Sequence, residues 1–535
     1  MQSKSLVSLR LGIFYIFTGG IMHKLLKRLF SRLFFVALAI IVQILWFVAV
    51  IYLLGSRYRA VSILVQVVCV AAVLWIVNKR INPAYKLAWT ILILAVPLVG
   101  GSLYLLFGKS RLAKEVEASF ERASQASEHL LSEDKKSREE LERLDPQINK
   151  QSVYLRDYAG FPMYQNTQTE YFPVGELLYQ RMIEELKKAK YFIFLEYFII
   201  DNGEMWQSIL DILEQKAKAG LDVRLVYDDV GCVNTLPARF YQEIRARGIK
   251  CEVFNPFRPI VSVVLNNRDH RKIMVIDGHT GFTGGINLAD EYINRKERFG
   301  HWKDTGVMLK GEAVWSFTVM FLQMWSVLTG STAELDDIPM FHSHSHYQGS
   351  FENDGFVQPY SDTPLDNETV GENTYLNIVN QAKKYVYIFT PYLIIDNEMM
   401  TCLCLAAKNG VDVRIVTPGI PDKKLIFVLT QSYYEQLIDA GVRIFEYEPG
   451  FLHAKSFVCD DEVATVGTIN MDYRSLYLHF ECGVWMYRSR AVMQVKEDVM
   501  DTLQHSREIT KEYCRSRSMP VRLIQSLLRL MAPLL

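Results

Sequence analysis

Two stretches of this chain repeat each other, and the duplication limits what it can fold into more than any other feature. Residues 189–229 read AKYFIFLEYFIIDNGEMWQSILDILEQKAKAGLDVRLVYDD, and residues 382–419 read AKKYVYIFTPYLIIDNEMMTCLCLAAKNGVDVRIVTPG. Each begins with an apolar run rich in β-branched and aromatic residues, passes through a helical pattern to a Gly turn, and ends in a second apolar run. Continuous apolar strands, rather than alternating ones, are those of a sheet covered on both faces, so each copy predicts a βαβ unit with a parallel strand pair. A further helix is expected in each copy, around Leu236–Arg247 and around Leu425–Ala440, followed by another strand. The fold class expected is α/β: two tandem, pseudo-symmetric α/β/α repeats packed face to face around one shared site.

Each copy then reaches the same short motif. The first reads His270-Arg-Lys272 with Asp277, then Gly284-Gly285-Ile-Asn287; the second reads His453-Ala-Lys455 with Asp460, then Gly467-Thr468-Ile-Asn470. A single His-x-Lys carries little information, because any two residues at i and i+2 on a strand share a face. Two copies with Lys, Asp and Asn at identical offsets are specific. On one strand face an imidazole and an ammonium converge on one ligand. Lys supplies a compact positive charge for phosphate oxygens and Asn supplies amide donors. Two sets brought together supply two Lys, two Asn and two His around one phosphorus. One His then attacks in line while the other protonates the leaving oxygen.

The N-terminal part is different in kind. Phe34–Leu54, Ala60–Val77 and Leu87–Phe107 are uncharged apolar runs of 18 to 21 residues, the length needed to cross a bilayer. An N-terminal membrane region, 1–107, with two or three transmembrane helices is therefore expected, giving a multi-pass protein of the cell membrane. Basic residues flank every run, so charge bias does not fix how many cross. Residues 108–150 are strongly charged and read as a solvated helical linker. Repeat one is assigned to 151–335 and repeat two to 336–535. Between them, the polar stretch Ser331–Ser350, with His342, His344 and His346, reads as a connecting loop. The terminal Val521–Leu535 reads as an amphipathic segment that either lies on a membrane surface or caps the core. Fifty-nine basic residues balance 59 acidic ones, which gives no footprint for nucleic acid. Eight scattered cysteines form no C-x2-C pair, which suits a catalytic region on the reducing, cytoplasmic side.

With these motifs in view, the chain resembles the phospholipase D superfamily and, within it, the bacterial cardiolipin synthases. The wider resemblance rests on the duplication and the two His-x-Lys motifs. The narrower one rests on NPAYKLAW…PLVGGSLYLLFGKSR, EYFIID, LVYDDVG, NNRDHRKIMVIDG, FTGGINLADEY, HWKDTGV, TPYLIID, FLHAKSFV, VGTINMDYRSLYLHFE and SLLRLMAPLL, which span nearly everything from about residue 60 onward. The resemblance implies that His270 is the nucleophile of a phosphohistidine intermediate and His453 the general acid, then base, although the pseudo-equivalent halves leave the reverse assignment open. It places Lys272, Lys455, Asn287 and Asn470 on the phosphate, and gives Asp277 and Asp460 a supporting part in the motif. Orienting carboxylates are expected downstream, Asp304 for His270 and Glu481 for His453. No metal and no cofactor are called for. The implied reaction transfers a phosphatidyl group from one phosphatidylglycerol to another, giving cardiolipin and glycerol. The alternative is a membrane-anchored phospholipase D or transphosphatidylase that uses water or another alcohol as acceptor.

Overall fold

The computed structural model describes residues 59–79, 81–108, 114–256, 267–332, 335, 338–347, 349–366 and 368–534. They form two compact units, one containing residues 59–108 and the other the described residues from 114 onward.

The first unit consists of helices Arg59–Val77, Pro83–Ala95 and Pro97–Phe107. Leu87–Phe107, expected as one span, is broken. Val96 adopts φ −137° and ψ 77°, because the residue before a proline is pushed out of the helical region, and Pro97 then starts a new helix. Among the described residues no helix is long and apolar enough to cross a membrane, so the multi-pass expectation is not supported. The expected span Ala60–Val77 falls within the first helix, and Phe34–Leu54 lies outside the described residues. The turn at Pro97 packs tightly: a Cβ on Gly100 would lie 2.3 Å from the carbonyl oxygen of Leu92. Trp89 meets Tyr104 edge to face at 5.2 Å, and Lys79 Nζ donates to the Tyr104 hydroxyl at 3.0 Å.

The second unit holds both repeats. Repeat one contributes strands β1 (Thr167–Phe172), β2 (Phe192–Tyr197), β3 (Asp222–Asp228), β4 (Lys250–Phe254), β5 (Arg268–Asp269), β6 (Ile273–Ile276), β7 (Thr280–Gly284), β8 (His301–Lys303) and β9 (Gly306–Gly311). Repeat two contributes β10 (Phe356–Asp362), β11 (Tyr385–Phe389), β12 (Leu393–Ile394), β13 (Asp412–Pro418), β14 (Arg443–Tyr447), β15 (Gly450–Leu452), β16 (Ser456–Cys459), β17 (Val463–Gly467), β18 (Met471–Asp472), β19 (His479–Tyr487) and β20 (Ser506–Ile509). The first sheet runs β1-β9-β7-β6-β2-β3-β4 and the second β10-β19-β17-β16-β11-β13-β14-β20. Strand for strand the order is the same, with β20 added at one edge. The expected parallel pairs are β2 with β3 and β11 with β13; the motif strands β6 and β16 join antiparallel.

All six residues of β2 are buried, because both faces of the sheet are covered. Ile193, Leu195 and Tyr197 belong to a core shared with helices Gly175–Lys188 and Glu204–Lys218. On the other face Phe194 stacks on Phe321 of the buried helix Val314–Thr329 at 4.6 Å. In repeat two, helices Val370–Gln381 and Asn397–Lys408 pack together, the first against β10, β16 and β19 and the second against β13, while helix Arg490–Gln504 packs against β11, β16 and β17.

The charged stretch expected as a solvated linker is docked instead. Its helices Lys114–Ser127, Lys135–Leu144 and Pro146–Asp157 place their few apolar side chains at helical spacing, which gives each one buried stripe. Leu141 and Leu155 are buried, Phe120 stacks on Phe480 at 4.8 Å, and Trp485 Nε1 donates to Gln151 at 2.8 Å. The connecting stretch also forms short turns, Ile338–Phe341 and Ser343–His346, and His346 stacks on Tyr191 at 4.1 Å.

Candidate active site

Both His-x-Lys motifs sit just before their strands, β6 and β16, and both backbones are held by the other repeat. The short strand β5 pairs parallel with the start of β19, and His270 N–H donates to the Phe480 carbonyl at 2.9 Å. Symmetrically, β15 pairs parallel with β8, and His453 N–H donates to the Lys303 carbonyl at 2.7 Å. The residue after each acceptor is a carboxylate: Glu481 follows Phe480, and Asp304 follows Lys303.

The carboxylates are therefore exchanged between the halves, which corrects the expected pairing. His270 Nδ1 lies 2.9 Å from both oxygens of Glu481, in repeat two. His453 Nδ1 lies 2.6 Å from Asp304 Oδ2, in repeat one. Strand pairing across the interface, not nearness in sequence, decides which acid meets which imidazole. A carboxylate at Nδ1 holds the ring hydrogen there and leaves Nε2 with its lone pair. Among the described residues neither Nε2 has a hydrogen-bond partner. Each histidine is 7% exposed.

Burial is the largest influence on both rings. It lowers the His270 pKa to about 3 against the opposing pull of Glu481. It lowers that of His453 to about 4, helped by the Lys455 ammonium and opposed by Asp304. Glu481 is itself buried, yet the imidazole beside it holds its carboxyl below the usual range. The resting pair is thus a neutral imidazole and a carboxylate.

Lys272 Nζ donates to the carbonyl of His270 at 2.6 Å, and Lys455 folds back onto the carbonyl of His453 in the same way. Lys455 Nζ also lies 2.9 Å from His453 Nδ1. Burial lowers Lys272 to about 8, partly offset by Glu481, and lowers Lys455 to about 7, partly offset by Asp304. The Lys272 charge further lowers Lys455 and His453. The two motifs therefore share one buried electrostatic centre.

Of the other expected residues, Asn287 accepts from Ile199 N–H at 2.9 Å and donates to the Tyr292 hydroxyl at 2.8 Å. Asn470 donates to Ser475 at 3.1 Å, and its Oδ1 is buried without a hydrogen-bond partner among the described residues. Asp277 and Asp460 do not belong with the reacting groups. Asp277 accepts from the backbone N–H of Lys190, Tyr191 and Phe192 at 2.8, 2.8 and 3.0 Å. Asp460 accepts from Lys383, Lys384 and Tyr385 at 2.6, 2.8 and 2.8 Å. Each ties the turn after its motif strand to the start of the neighbouring strand, β2 or β11, a local turn role suited to a short carboxylate.

Thr468, Phe198 and Tyr292 were not picked out from sequence, whereas His479, just before Glu481, reads there as a residue lining the cleft. Thr468 Oγ1 donates to Glu481 Oε2. Its counterpart is Gly285, where a Cβ would lie 2.1 Å from Asp304 Oδ1. The two orienting carboxylates are thus held differently, and the Gly/Thr difference between the copies was the visible signal. Phe198 meets the His270 ring edge to face at 5.0 Å, and Tyr292 does the same to His453 at 5.6 Å. His479 lies beside the first pair, its Nδ1 3.6 Å from Glu481 Oε1 and without a hydrogen bond among the described residues. His270, His479 and Glu481 bring three metal-ligand atoms within 4.8 Å of one another.

Comparisons with known proteins agree with this arrangement. The family described as "Cardiolipin synthase, PLD-like domain" matches residues 182–325 and 375–503, one segment in each repeat. "Phospholipase D-nuclease N-terminal" matches residues 67–109. An uncharacterized protein of Streptococcus mutans is 46% identical over 450 residues, covering 84% of this chain and 96% of its own. A cardiolipin synthase of Geobacillus kaustophilus is 36% identical over 464 residues, 85% of this chain and 89% of its own. That of Alkalihalophilus pseudofirmus is 34% identical over 456 residues, 85% and 90%. Among solved structures, the phosphatidylserine synthase of Haemophilus influenzae superposes with a TM-score of 0.54 at 17% identity, over 72% of this chain and 97% of that one, a likeness of fold. Paired motifs, crosswise carboxylates and matched sequence lead to one assignment: the chain belongs to the cardiolipin synthase family of phospholipase D-like proteins.

Proposed function

We propose that this protein is a cardiolipin synthase, joining two phosphatidylglycerol molecules through a phosphatidyl-histidine intermediate. The observation that carries the reading is the pair of buried imidazoles, each with a carboxylate at Nδ1 and a lysine at its own motif carbonyl. In the first half-reaction His270 Nε2 attacks phosphorus, the bond to the glycerol headgroup oxygen breaks, and His453 gives that oxygen a proton. The phosphodiester anion offsets the burial that keeps His453 neutral, so the proton-loaded ring is favoured when substrate is bound. In the second, a hydroxyl of another phosphatidylglycerol gives its proton to His453 and attacks phosphorus, and the P–N bond breaks. Lys272, Lys455 and the amides of Asn287 and Asn470 neutralise the equatorial oxygens. The N-terminal apolar region supports placing the enzyme at the cell membrane, where both reactants reside, with the catalytic unit on the cytoplasmic side.

Purified full-length protein in phosphatidylglycerol micelles containing a chelator is expected to yield cardiolipin and free glycerol. Phosphatidic acid as sole product would make the protein a hydrolase, and an absolute metal requirement would sink the mechanism. His270→Asn is expected to abolish the covalent lipid adduct. An adduct that persists there and disappears in His453→Asn would exchange the two roles.

A further inference from the structure

The last helix of the chain, Met519–Met531, is built inside out for a protein in water. Leu523 and Leu527 are 64% and 58% exposed, Met519 is 78% exposed, and Ile524 and Met531 also face outward. The residue of this helix that is turned inward is polar: Gln525 is 7% exposed and donates to the Val428 carbonyl at 3.1 Å. That bond fixes which face looks out, so the exposure belongs to the helix's seating. The helix it meets, Lys424–Gln431, continues the same surface, with Leu425 65% exposed and Ile420 exposed just before it. An apolar face this continuous on a folded unit marks a contact surface.

Charge identifies the contact. From Tyr513 to Leu535 the chain has four arginines and no Asp or Glu. Arg522 is exposed beside the leucines, and Lys423 and Lys424 are exposed at the start of the neighbouring helix. Apolar side chains rimmed by cations fit an anionic lipid surface, with the leucines among the acyl chains and the cations at the headgroups. The patch also adjoins the site. Ile420 N–H donates to the Gly450 carbonyl at 3.1 Å, at the head of β15, the strand that leads directly into His453. We infer that helices Lys424–Gln431 and Met519–Met531 form a docking face for an anionic bilayer, one that sets the catalytic unit itself on the membrane beside the mouth of the site, independently of the N-terminal region.

A photoreactive amino acid in place of Leu527, in the full-length protein reconstituted into vesicles, tests this without reference to activity. Transfer of the crosslink to lipid is expected, at least threefold more in phosphatidylglycerol-containing vesicles than in pure phosphatidylcholine. Crosslinking to a second copy, crosslinking to another segment of the same chain, or equal transfer to neutral and anionic lipid would each overturn the assignment. As an independent measure, Leu523→Glu with Leu527→Glu is expected to lower turnover of long-chain phosphatidylglycerol in vesicles at least tenfold. The same variant should leave turnover of monomeric short-chain phosphatidylglycerol within twofold of the unaltered protein, which also shows that it folds. An equal loss on both substrates would mean the face serves folding and not docking.

Discussion

At the scale of the residue, the exchange of carboxylates makes each imidazole answer to the other repeat. Glu481→Gln is expected to impair the step that uses His270, and Asp304→Asn the step that uses His453. Each should slow turnover by on the order of 10³-fold, as when an orienting carboxylate loses control of the tautomer. Single-turnover trapping separates them: adduct formation should be lost in Glu481→Gln, whereas Asp304→Asn should still accumulate adduct from a substrate with a good leaving group. Gly285→Ala puts a methyl carbon 2.1 Å from Asp304 Oδ1, which must then shift, and is expected to lower kcat at least tenfold with little change in KM. The buried ammoniums give a pH signature. Lys455 loses its proton near pH 7 and Lys272 near 8, and an anion prefers both protonated. Affinity for inorganic phosphate should therefore fall as pH rises, by up to about tenfold per unit above 7 and more steeply above 8. Calorimetry in buffers of different ionisation enthalpy should show proton uptake on binding in that range.

At the scale of the element, one buried ion pair joins the repeats next to the site. Lys303, at the end of β8, reaches Asp498 in helix Arg490–Gln504 at 2.6 Å, and Tyr171 donates to the same carboxylate at 2.6 Å. Asp498→Ala leaves the ammonium buried without a counter-charge, held among the described residues only by the Pro173 carbonyl at 3.0 Å, a change that costs about 3–5 kcal/mol. It should appear as a lowered denaturation midpoint and, because Asp304 is the next residue, as slower turnover. In the first unit, Gly100→Leu is expected to separate the helices that meet at Leu92 and to lower thermal stability. Elements of this kind were unequally legible in the sequence. The runs at β2 and β11 announced buried strands because both of their faces are covered, and identical motif offsets announced a shared centre. The break at Pro97 was written in the chain, but an apolar run of bilayer length outweighed it. The acid pairing was not written there at all. Asp304 follows His270 and Glu481 follows His453 at similar intervals, and strand pairing between repeats decides the partners. Nor does motif spacing say what a supporting residue supports: Asp277 and Asp460, expected to support the site, tie the motif turns to the neighbouring strands.

At the scale of the whole molecule, the duplicated sheets are not two sites but two halves of one. A chain cut in the connecting stretch near residue 349 should give fragments that are each inactive, since each histidine is then without its acid. Co-expressing both fragments should restore activity if the pairings of β5 with β19 and β8 with β15 suffice to bring them together. Activity in either fragment alone would contradict the shared centre. The separation between His270 and Glu481, 211 residues along the chain, has a consequence in time. A ribosome releases the first histidine long before its acid has been translated. Until β19 emerges and pairs with β5, that imidazole has no fixed tautomer and no second histidine opposite it. The unfinished chain is thus chemically silent, and the reaction becomes possible only when synthesis is nearly complete.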